Sequence, residues 1–579
     1  MNTDNIDKWD LKALFNDEAE LDSFTKQIQK EAINFEKEYS NKLINIDDFE
    51  NIVTKYENIC DGIARIMTYV FLIFAKDTNN GSFYAKYELI ANEIQNHIIF
   101  FEIEFSKLDE NLILKHIKKA KKYKYYLTKI YQQKQYQLSK EEEKIILKLS
   151  PIGASAFSRL FDEHLSKIKF KFNNEILSEE EILSKLHSSN RKDRKTAQKE
   201  LTKKLDKSSH LLKYIINIIR KDLAISKELR GYENAESFRH IDNQISQKSV
   251  DSMINIVVKN FPLVHKYYKM KSKLLNIKTL KDYDRYAPID FANNTFEYNS
   301  AKKLVIETFM GFSKQFGDIA KRAFEDGWVD SHPKENKRGG AFSHGAVPKA
   351  HPYILLNYTN GRRDIFTIAH EFGHAIHQEL SKNMGYLNMD TPLTTAETAS
   401  VFGEMLLFDR MKNEIKGKEL LGLYAGKIED IFSTLFRQVV MTNFERRIHN
   451  CKDELEVCDL NKIWYEENKK MFEDSVKLTK NYSLWWSYIP HFIHSPFYCY
   501  AYSYGQLLSL TLFGLYKSKK YEDFVAKYTE FLSCGGSKSP KDLVAIFGFD
   551  IDDEKFWEFG INEVKKILDE FNQMVNKDL

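Results

Sequence analysis

Apolar positions from residue 1 to about residue 240 recur with the spacing of amphipathic helices. In residues 127–149, for example, apolar side chains alternate with faces rich in Lys and Glu, which is typical of helices that bury one side. The charge-rich stretches 106–148 and 184–209 mix acids with bases, as solvated outer helix faces do. The pattern therefore predicts a long, helical first part of the chain.

The pattern changes near residue 283, where helix breakers and short apolar runs replace the helical spacing. Residues 283–290 have the composition of a strand or a connector, and residues 326–353 are dense in Gly, Pro and His. The apolar run 354–358 is bounded by turn residues and predicts a strand. A helix follows the turn at 359–361, with Asp364 as its expected N-cap.

Composition favours a mostly helical protein of more than one lobe. The 579 residues include only 23 Gly and 10 Pro, where average usage would give about 41 and about 29. Few breakers favour long helices, and the length exceeds what one hydrophobic core usually holds.

Charge and cysteine content bear on partners and location. The net charge is +3, without the basic excess of a nucleic-acid-binding protein. Five scattered cysteines without a CxxC motif fit a reducing compartment. The first residues lack the apolar run of a signal peptide, and the most apolar stretch, Ile66–Ala75, is about half the length of a membrane span. We therefore expect a cytoplasmic protein that acts on neither membranes nor nucleic acids.

Residues 370–374 read HEFGH, an HExxH motif. Side chains four residues apart on a helix differ by about 40° in direction and about 6 Å in height, so His370 and His374 can bind one ion. Glu371 lies about 100° round the helix, where it could act as general base on a metal-bound water. Zinc, one ion per chain, fits this set best. The apolar flanks predict a buried helix, in which paired histidines need a partner.

A third protein ligand must come from another segment. A metzincin would have a third histidine where this chain has Leu380, and Glu379 points about 180° away from His370. The best donor is Glu397, and Glu404, one heptad later, could orient a ligand histidine. Small residues on both segments would let their helices approach closely: Ala369, Gly373, Ala396, Ala399, Ser400 and Gly403.

A second cluster, residues 485–505, is rich in aromatic residues and histidine. Ser495 and Pro496 predict the start of a helix, and on that helix Tyr498 and Tyr502 would share one face. Their hydroxyls, or the imidazole of His491, could donate hydrogen bonds to an oxyanion. Aromatic core packing is an equal alternative for each tyrosine.

These motifs resemble those of the thimet-oligopeptidase-like zinc metallopeptidases, in particular the oligoendopeptidase F branch. The residues that carry the resemblance are 370–377, 397–404 and 491–506, with weaker matches at 9–15, 283–288 and 338–342. The resemblance implies a mostly α fold, a helical two-lobed clamshell with a deep channel and a small β-sheet near the zinc site. We expect an N-terminal helical lobe at 1–200 and the metallopeptidase catalytic region at 201–579, with the lobes interleaved.

The resemblance also implies the roles of individual residues. Zinc would be bound by His370, His374 and Glu397, and Glu371 would activate the zinc-bound water. The carboxyl-terminal cluster would contact the substrate and stabilise the transition state, with His491 and Tyr498 in catalytic roles and His494 and Tyr500 in substrate binding. Narrow access would restrict substrates to short, unstructured peptides, cleaved at internal bonds.

Two further expectations concern the loop-rich part. The strand at 353–358, with Tyr358 as a substrate-binding residue, could pair with the substrate backbone as an added edge. Residues 338–345 could form a flexible flap or an ordinary surface loop.

Two alternatives remain open at this point. A zinc carboxypeptidase or dipeptidyl carboxypeptidase of similar architecture would need a cation for the substrate carboxylate, and Arg338, Arg362 and Arg363 are candidates. A non-catalytic helical binding protein would leave Glu371 without a role. The oligomeric state is not predicted.

Overall fold

The computed structural model describes residues 6–289 and 295–578, which form a mostly helical protein and confirm the predicted fold class. The chain divides into two compact units. Unit 1 comprises Met1–Gln135, Asn294–Asn413 and Leu515–Asp550, and unit 2 comprises Tyr136–Asn293, Glu414–Gly514 and Ile551–Leu579. The division into domains at residue 200 and the clamshell with its channel stay predictions.

Helices dominate the described residues before 290. Their bounds are α1 (Glu18–Tyr39), α2 (Phe49–Lys76), α3 (Gly81–Ile98), α4 (Phe100–Lys107), α5 (Glu110–Lys119), α6 (Lys124–Gln133), α7 (Lys140–Leu149), α8 (Ala154–Lys167), α9 (Glu179–Ser184), α10 (Arg191–Arg230), α11 (Ser237–Asp242), α12 (Gln247–Lys259) and α13 (Pro262–Leu274).

Helices also dominate from residue 295 onward. They are α14 (Tyr298–Phe312), α15 (Lys314–Glu325), α16 (Arg362–Ser381), α17 (Tyr386–Met389), α18 (Leu393–Ala396), α19 (Thr398–Glu414), α20 (Gly417–Ile431), α21 (Arg437–Asn450), α22 (Val457–Phe472), α23 (His491–His494), α24 (Cys499–Ser518), α25 (Phe524–Ser533), α26 (Pro540–Ala545) and α27 (Glu554–Asp578).

Helix ends follow local sequence signals. The side chain of Asp17 accepts a hydrogen bond from the third residue beyond it and caps α1, and Ser178 forms a capping box with Glu181 at α9. The 40-residue α10 ends at Gly231, whose φ of 70° is the left-handed conformation in which glycine is favoured.

Two small sheets interrupt the helices of the described residues. In unit 2, β1 (Phe170–Phe172) and β2 (Glu175–Leu177) form an antiparallel hairpin. The sequence interpretation, which made this region helical throughout, is wrong here. Asn173 turns the chain with a φ of 53°, a conformation that asparagine tolerates and that tight hairpins use.

The sheet of unit 1 has three strands, β3 (Val329–Asp330), β4 (Phe342–His344) and β5 (Tyr353–Leu355). Their order is β3-β5-β4, with β5 parallel to β3 and antiparallel to β4. The predicted strand therefore exists but ends at Leu355, and the prediction that it is a free edge is wrong because β5 is the central, fully buried strand. Residues 285–289 form a connector without regular structure.

Helix α2 is long and apolar enough to cross a membrane by length and composition, and half of its most apolar stretch is buried. The sequence analysis considered only the run Ile66–Ala75 and judged it too short for a membrane span, whereas the whole helix passes this test of length and composition. Ile52, Val53 and Val70 of this helix belong to the hydrophobic core of unit 1. Its apolar face is therefore used in packing within that unit.

Candidate active site

The HExxH motif lies in the middle of α16, which is strongly buried. Gly361 is the N-cap of this helix, and Asp364 is its third residue, so the prediction of Asp364 as the N-cap is wrong. Its carboxylate reaches back and accepts hydrogen bonds from the amide groups of Gly361, at 3.0 Å, and Thr359, at 2.7 Å. Asp364 thus stabilises the same helix start from within the first turn.

Helix α19 approaches α16 closely, as the small residues of both segments predict. A Cβ atom at Gly373 would lie 2.6 Å from Cα of Ser400, and one at Gly403 would lie 2.8 Å from the carbonyl oxygen of Ala369. Both glycines are therefore needed for the helix contact. Glu397 does not share a helix with Glu404, because it is the C-cap of α18, directly before α19 begins.

Three side chains of unit 1 form a group that could hold a metal ion. One ligand atom from each of His370, His374 and Glu397 lies within 4.8 Å of the others. Oε2 of Glu397 is 3.4 Å from Nε2 of each histidine. Two ligands bound tetrahedrally at about 2.0–2.1 Å would be about 3.3 Å apart, so the two separations from Glu397 match those of a tetrahedral zinc site.

Two more side chains hold the ligands in position. Nδ1 of His370 is 2.7 Å from Oε1 of Glu404, and the hydroxyl of Ser400 donates to Oε2 of Glu397 at 2.7 Å. Glu404 therefore has the orienting contact that the sequence interpretation suggested for it, an arrangement that commonly accompanies metal-bound histidine.

The charges of this group depend on one another. Burial acts to lower the pKa of His370, but the hydrogen bond and charge of Glu404 and the charge of Glu397 raise it to about 9. Burial acts to raise the pKa of Glu397, whereas its contacts with His374 and the charge of His370 lower it to about 2. A metal ion would therefore have to displace a proton from His370.

Glu371 lies next to the ligand group but is not part of it. It is 6% exposed, and burial raises the pKa of its carboxyl group, against the lowering effect of the two histidines. A raised pKa suits a carboxylate that accepts a proton near neutral pH. His377 is buried, and burial lowers its pKa to about 3. Glu379 points away, as predicted, and pairs with Arg322 and Lys382.

The carboxyl-terminal cluster belongs to unit 2. There the ring of His491 is 6.1 Å from that of Tyr498 and 5.8 Å from that of Tyr502, and the two tyrosine rings are 5.0 Å apart. Nε2 of His491 is 3.5 Å from the hydroxyl of Tyr502. All three side chains are partly exposed. Tyr502 was not among the candidate site residues. Its spacing of four residues from Tyr498, which places both side chains on one helix face, was the sequence signal that could have identified it.

Other residues of this cluster have different surroundings. Tyr500 is fully buried, and its hydroxyl bonds to His240 at 2.9 Å and to Asn243 at 2.8 Å. His494 is exposed and lies 2.8 Å from Asp162. The predicted helix start at Ser495 is wrong: this residue ends α23, and α24 begins at Cys499.

The loop-rich part of unit 1 is well anchored. Tyr358 is 3% exposed and donates to the carbonyl of Phe296 at 2.8 Å, so its hydroxyl is occupied by a structural contact. The hydroxyl of Ser343 donates to Gln378 of α16, which donates back to the Ser343 carbonyl. Residues 342–344 thus form a strand that is hydrogen-bonded to the HExxH helix, and the flap at 338–345 stays a prediction.

A mostly helical chain with an HExxH helix and a downstream glutamate beside it has the site of a metallopeptidase. The family described as peptidase family M3 matches residues 184–563, about two thirds of the sequence, and one described as oligopeptidase F matches residues 104–170. The chain belongs to peptidase family M3. It is therefore a metalloendopeptidase, which excludes the alternative of a non-catalytic binding protein.

Relatives and solved structures match the chain over nearly its full length. An oligoendopeptidase F homolog of Borreliella burgdorferi is 31% identical over 98% of both chains. The crystal structure of a Chlamydophila abortus peptidase, 24% identical, has a TM-score of 0.87 and covers 98% of both chains. The oligoendopeptidase F structure from Enterococcus faecium, 19% identical, has a TM-score of 0.70 over 97% of this chain and 99% of that one. The structural likeness bears on the fold alone.

Proposed function

We propose that this protein is a zinc-dependent endopeptidase that hydrolyses internal bonds of short, unstructured peptides. The observation that carries the proposal is the group of His370, His374 and Glu397, with matching 3.4 Å separations and Glu371 beside it. The names of the relatives, which include an oligoendopeptidase F homolog, support short peptides as the substrate class.

One zinc ion per chain is proposed, held by those three side chains. Zinc bound there would supply Lewis acidity, which activates water and polarises the scissile carbonyl. Zinc suits two imidazole nitrogens and one carboxylate oxygen, with one coordination position left open. Glu404 would keep Nε2 of His370 directed toward the ion by holding Nδ1.

Glu371 is proposed as the general base. Its carboxylate would accept a proton from the attacking water and then deliver it to the nitrogen of the leaving amine. Burial raises the pKa of this carboxyl group. Its proton affinity is therefore closer to the proton affinities of the attacking water and the leaving amine.

His491 and Tyr498 are proposed to donate hydrogen bonds to the substrate and its oxyanion, and Tyr502 joins them because its ring contacts both. His494 remains a proposed substrate contact because it is exposed. Tyr500 and Tyr358 are buried with bonded hydroxyls, so we assign them a supporting role in place of the substrate contact first expected.

A cytoplasmic location is proposed as well. All five cysteines are free, and Cys458 is exposed, which suits a reducing compartment.

The test combines metal analysis with peptide digestion. The purified protein should contain one zinc ion per chain and should cleave internal bonds in a mixed library of peptides of roughly 6–20 residues, the length range that suits an extended binding mode. A chelator should abolish cleavage, and added zinc should restore it. Efficient digestion of native folded proteins would contradict the substrate class, and cleavage that persists without metal would contradict the mechanism.

A further inference from the structure

Unit 1 carries a run of lysines where α5 is followed by α6. Residues 115–124 contain six lysines and no Asp or Glu. The lysines are Lys115, Lys118, Lys119, Lys121, Lys122 and Lys124. The acids of the charge-rich stretch 106–148 lie only at its two ends, at 109–110 and 141–143. The net charge of +3 averages this segment with balanced ones and does not describe its local charge.

All six lysines are exposed, and few of them have an acidic partner. Lys122 pairs with the carboxylate of Glu57 at 2.6 Å, and Nζ of Lys119 donates to the carbonyl oxygen of Asp47 at 3.2 Å. Within residues 6–289 and 295–578, the other four form no ion pair. The carboxylates of Glu57 and Asp47 offset two of the six charges, so the segment keeps an excess of positive charge.

A run of lysines without acids does not always give a charged surface. Residues 252–281 of unit 2 also lack Asp and Glu, but acids of other elements pair with three of their lysines. The pairs are Lys259–Glu554, Lys266–Asp569 and Lys271–Glu429. In the part of the chain that the structure describes, residues 115–124 have one such pair, at Lys122. Their charge therefore faces solvent.

The backbone that carries the lysines is well anchored. Tyr123, between two of the lysines, is fully buried. Its hydroxyl bonds to Glu57 at 2.6 Å and to Thr54 at 3.1 Å. Ile113 and Ile117 of α5 belong to the hydrophobic core of unit 1. Binding at this surface would therefore not have to order the backbone first.

Exposed aliphatic side chains accompany the lysines. Leu114 is 49% exposed and directly precedes Lys115 on α5. Ile44 is 63% exposed, and it lies three residues before Asp47, whose carbonyl Lys119 contacts. The surface therefore combines positive charge with two apolar side chains whose exposure to water is unfavourable.

This combination favours a membrane over a nucleic acid as the partner. Proteins that bind single-stranded nucleic acids stack the bases on aromatic rings, but Tyr123 within the lysine run is buried. Aliphatic side chains beside lysines suit the boundary between lipid head groups and acyl chains. Clusters of four to eight basic residues on an amphipathic helix are typical of binding to anionic lipids.

We propose that residues 114–124, together with Ile44, form a lysine surface that binds the anionic surface of a membrane. The lysines would contact lipid phosphate and carboxylate groups, and Leu114 and Ile44 would enter the outer edge of the acyl layer. This binding is separate from the proposed peptidase function, which requires no membrane. It agrees with the proposed cytoplasmic location, because the cytoplasmic leaflet carries anionic lipids.

The sequence analysis expected no membrane partner because the segment with the highest hydropathy was too short and the net charge was small. Neither property describes the charge of a single surface. Binding to the face of a membrane requires no spanning segment.

Sedimentation of the full-length protein with lipid vesicles tests the proposal. One set of vesicles is phosphatidylcholine alone, and the other is equal parts phosphatidylcholine and phosphatidylserine. At low ionic strength the protein should sediment with the anionic vesicles and stay in solution with the neutral ones. Raising the NaCl concentration from about 0.05 M to about 0.5 M should release most of it, because salt screens the attraction.

A triple variant removes three of the unpaired charges. It combines Lys115→Gln, Lys118→Gln and Lys119→Gln. Its binding to the anionic vesicles should be about 100-fold weaker, since each lysine near such a surface contributes about five-fold.

The matched control removes the same net charge from other exposed lysines of unit 1, each of which is paired with an acid of its own helix. It combines Lys303→Gln, Lys314→Gln and Lys321→Gln. It should bind the anionic vesicles like the wild type. Without vesicles, both triple variants should cleave peptides at the wild-type rate, which establishes that they are folded.

Fluorescence of the Leu114→Trp variant reports contact with the acyl layer. The six native tryptophans are buried, so they should respond little to vesicles. Lipids brominated in their acyl chains should quench the emission of Leu114→Trp more strongly than that of the wild type. Equal quenching of the two proteins would overturn the insertion of this side chain.

Two further results would overturn the membrane surface. One is equal sedimentation with neutral and anionic vesicles, or wild-type binding by the variant that lacks Lys115, Lys118 and Lys119. The other is tighter binding to poly-uridine RNA or to poly-glutamate than to the anionic vesicles at the same concentration of negative charge. The partner would then be a nucleic acid or an acidic polypeptide.

Discussion

Nδ1 of His370 lies 2.7 Å from Oε1 of Glu404, a residue on the facing helix α19. When Nδ1 carries the proton that Glu404 accepts, Nε2 presents its lone pair toward Glu397, 3.4 Å away. The glycine contacts between α16 and α19 bring both carboxylates to the same histidine. The packing of the two helices therefore determines which nitrogen of His370 can bind a metal.

The variant Glu404→Ala should bind zinc more weakly, by about 10-fold to about 100-fold, because the imidazole loses its orienting partner. Competition with a chelator of known affinity measures this. Glu325→Ala removes an exposed carboxylate of unit 1 and should leave zinc affinity unchanged. Wild-type affinity in Glu404→Ala would show that the contact does not orient the ligand.

The variants Glu371→Gln and Glu397→Ala should separate proton transfer from metal binding. Glu371→Gln is nearly isosteric and should keep zinc while kcat falls by about 10²–10⁴, the usual contribution of general acid–base catalysis. Glu397→Ala should lose both zinc and activity. Metal content and peptide hydrolysis are measured on the same samples. Near-normal turnover in Glu371→Gln would remove it as the base, and a zinc-loaded, active Glu397→Ala protein would direct attention to Glu404 as the third ligand.

Gly373→Ala should destabilise the protein by about 1–3 kcal/mol, the usual cost of overpacking, because the new Cβ would contact the backbone of Ala399 and Ser400. It should also weaken zinc binding, since Glu397 and Glu404 flank that contact. Gly311→Ala in α14 is the matched control: its Cβ would have nothing within 4 Å, and alanine is the better helix former. Thermal unfolding and zinc titration of both variants test the prediction.

Much of the metal site could be predicted because it depends on local spacing. HExxH places two imidazoles on one helix face whatever the rest of the fold, and the small residues near Gly373 and Gly403 indicated the close helix contact. The sequence did not predict that α18 ends at Glu397 and that a separate helix begins at Thr398. A helix end within a helix-forming segment depends on tertiary packing.

The residues that were misjudged depend on long-range contacts. By sequence, Tyr500 and Tyr502 are equally good candidates. In the structure Tyr500 is buried, and its hydroxyl bonds to His240 and Asn243, more than 250 positions away in the chain. Tyr358 is likewise occupied by the carbonyl of Phe296, 62 positions away. Neither contact leaves a periodic signal in the sequence, so only the folded structure distinguishes the buried tyrosines from the accessible one.

Glu445 of α21 fixes the backbone that leads into the tyrosine cluster. Its Oε1 accepts a hydrogen bond from the amide of Phe497 at 2.7 Å, and Phe497 has a φ of 57°, which is uncommon for a large residue. Burial raises the pKa of Glu445 from 4.5 to about 8. The folded protein therefore keeps a proton that the unfolded chain releases above about pH 4.3.

The stabilising effect of that proton should be present in full below about pH 4 and should be lost as the pH rises through 8. Glu445→Gln keeps the acceptor oxygen and cannot ionise. Its melting temperature relative to wild type should therefore increase between pH 5 and pH 9, a range that spans most of this titration.

Glu325→Gln, at an exposed site, should give a nearly constant difference over the same range. Thermal unfolding at fixed ionic strength and saturating zinc measures both, because zinc linkage is then common to variant and wild type and cancels in the difference. A pH-independent difference for Glu445→Gln would mean that this carboxyl group has no raised pKa and is already ionised in the folded protein at pH 5.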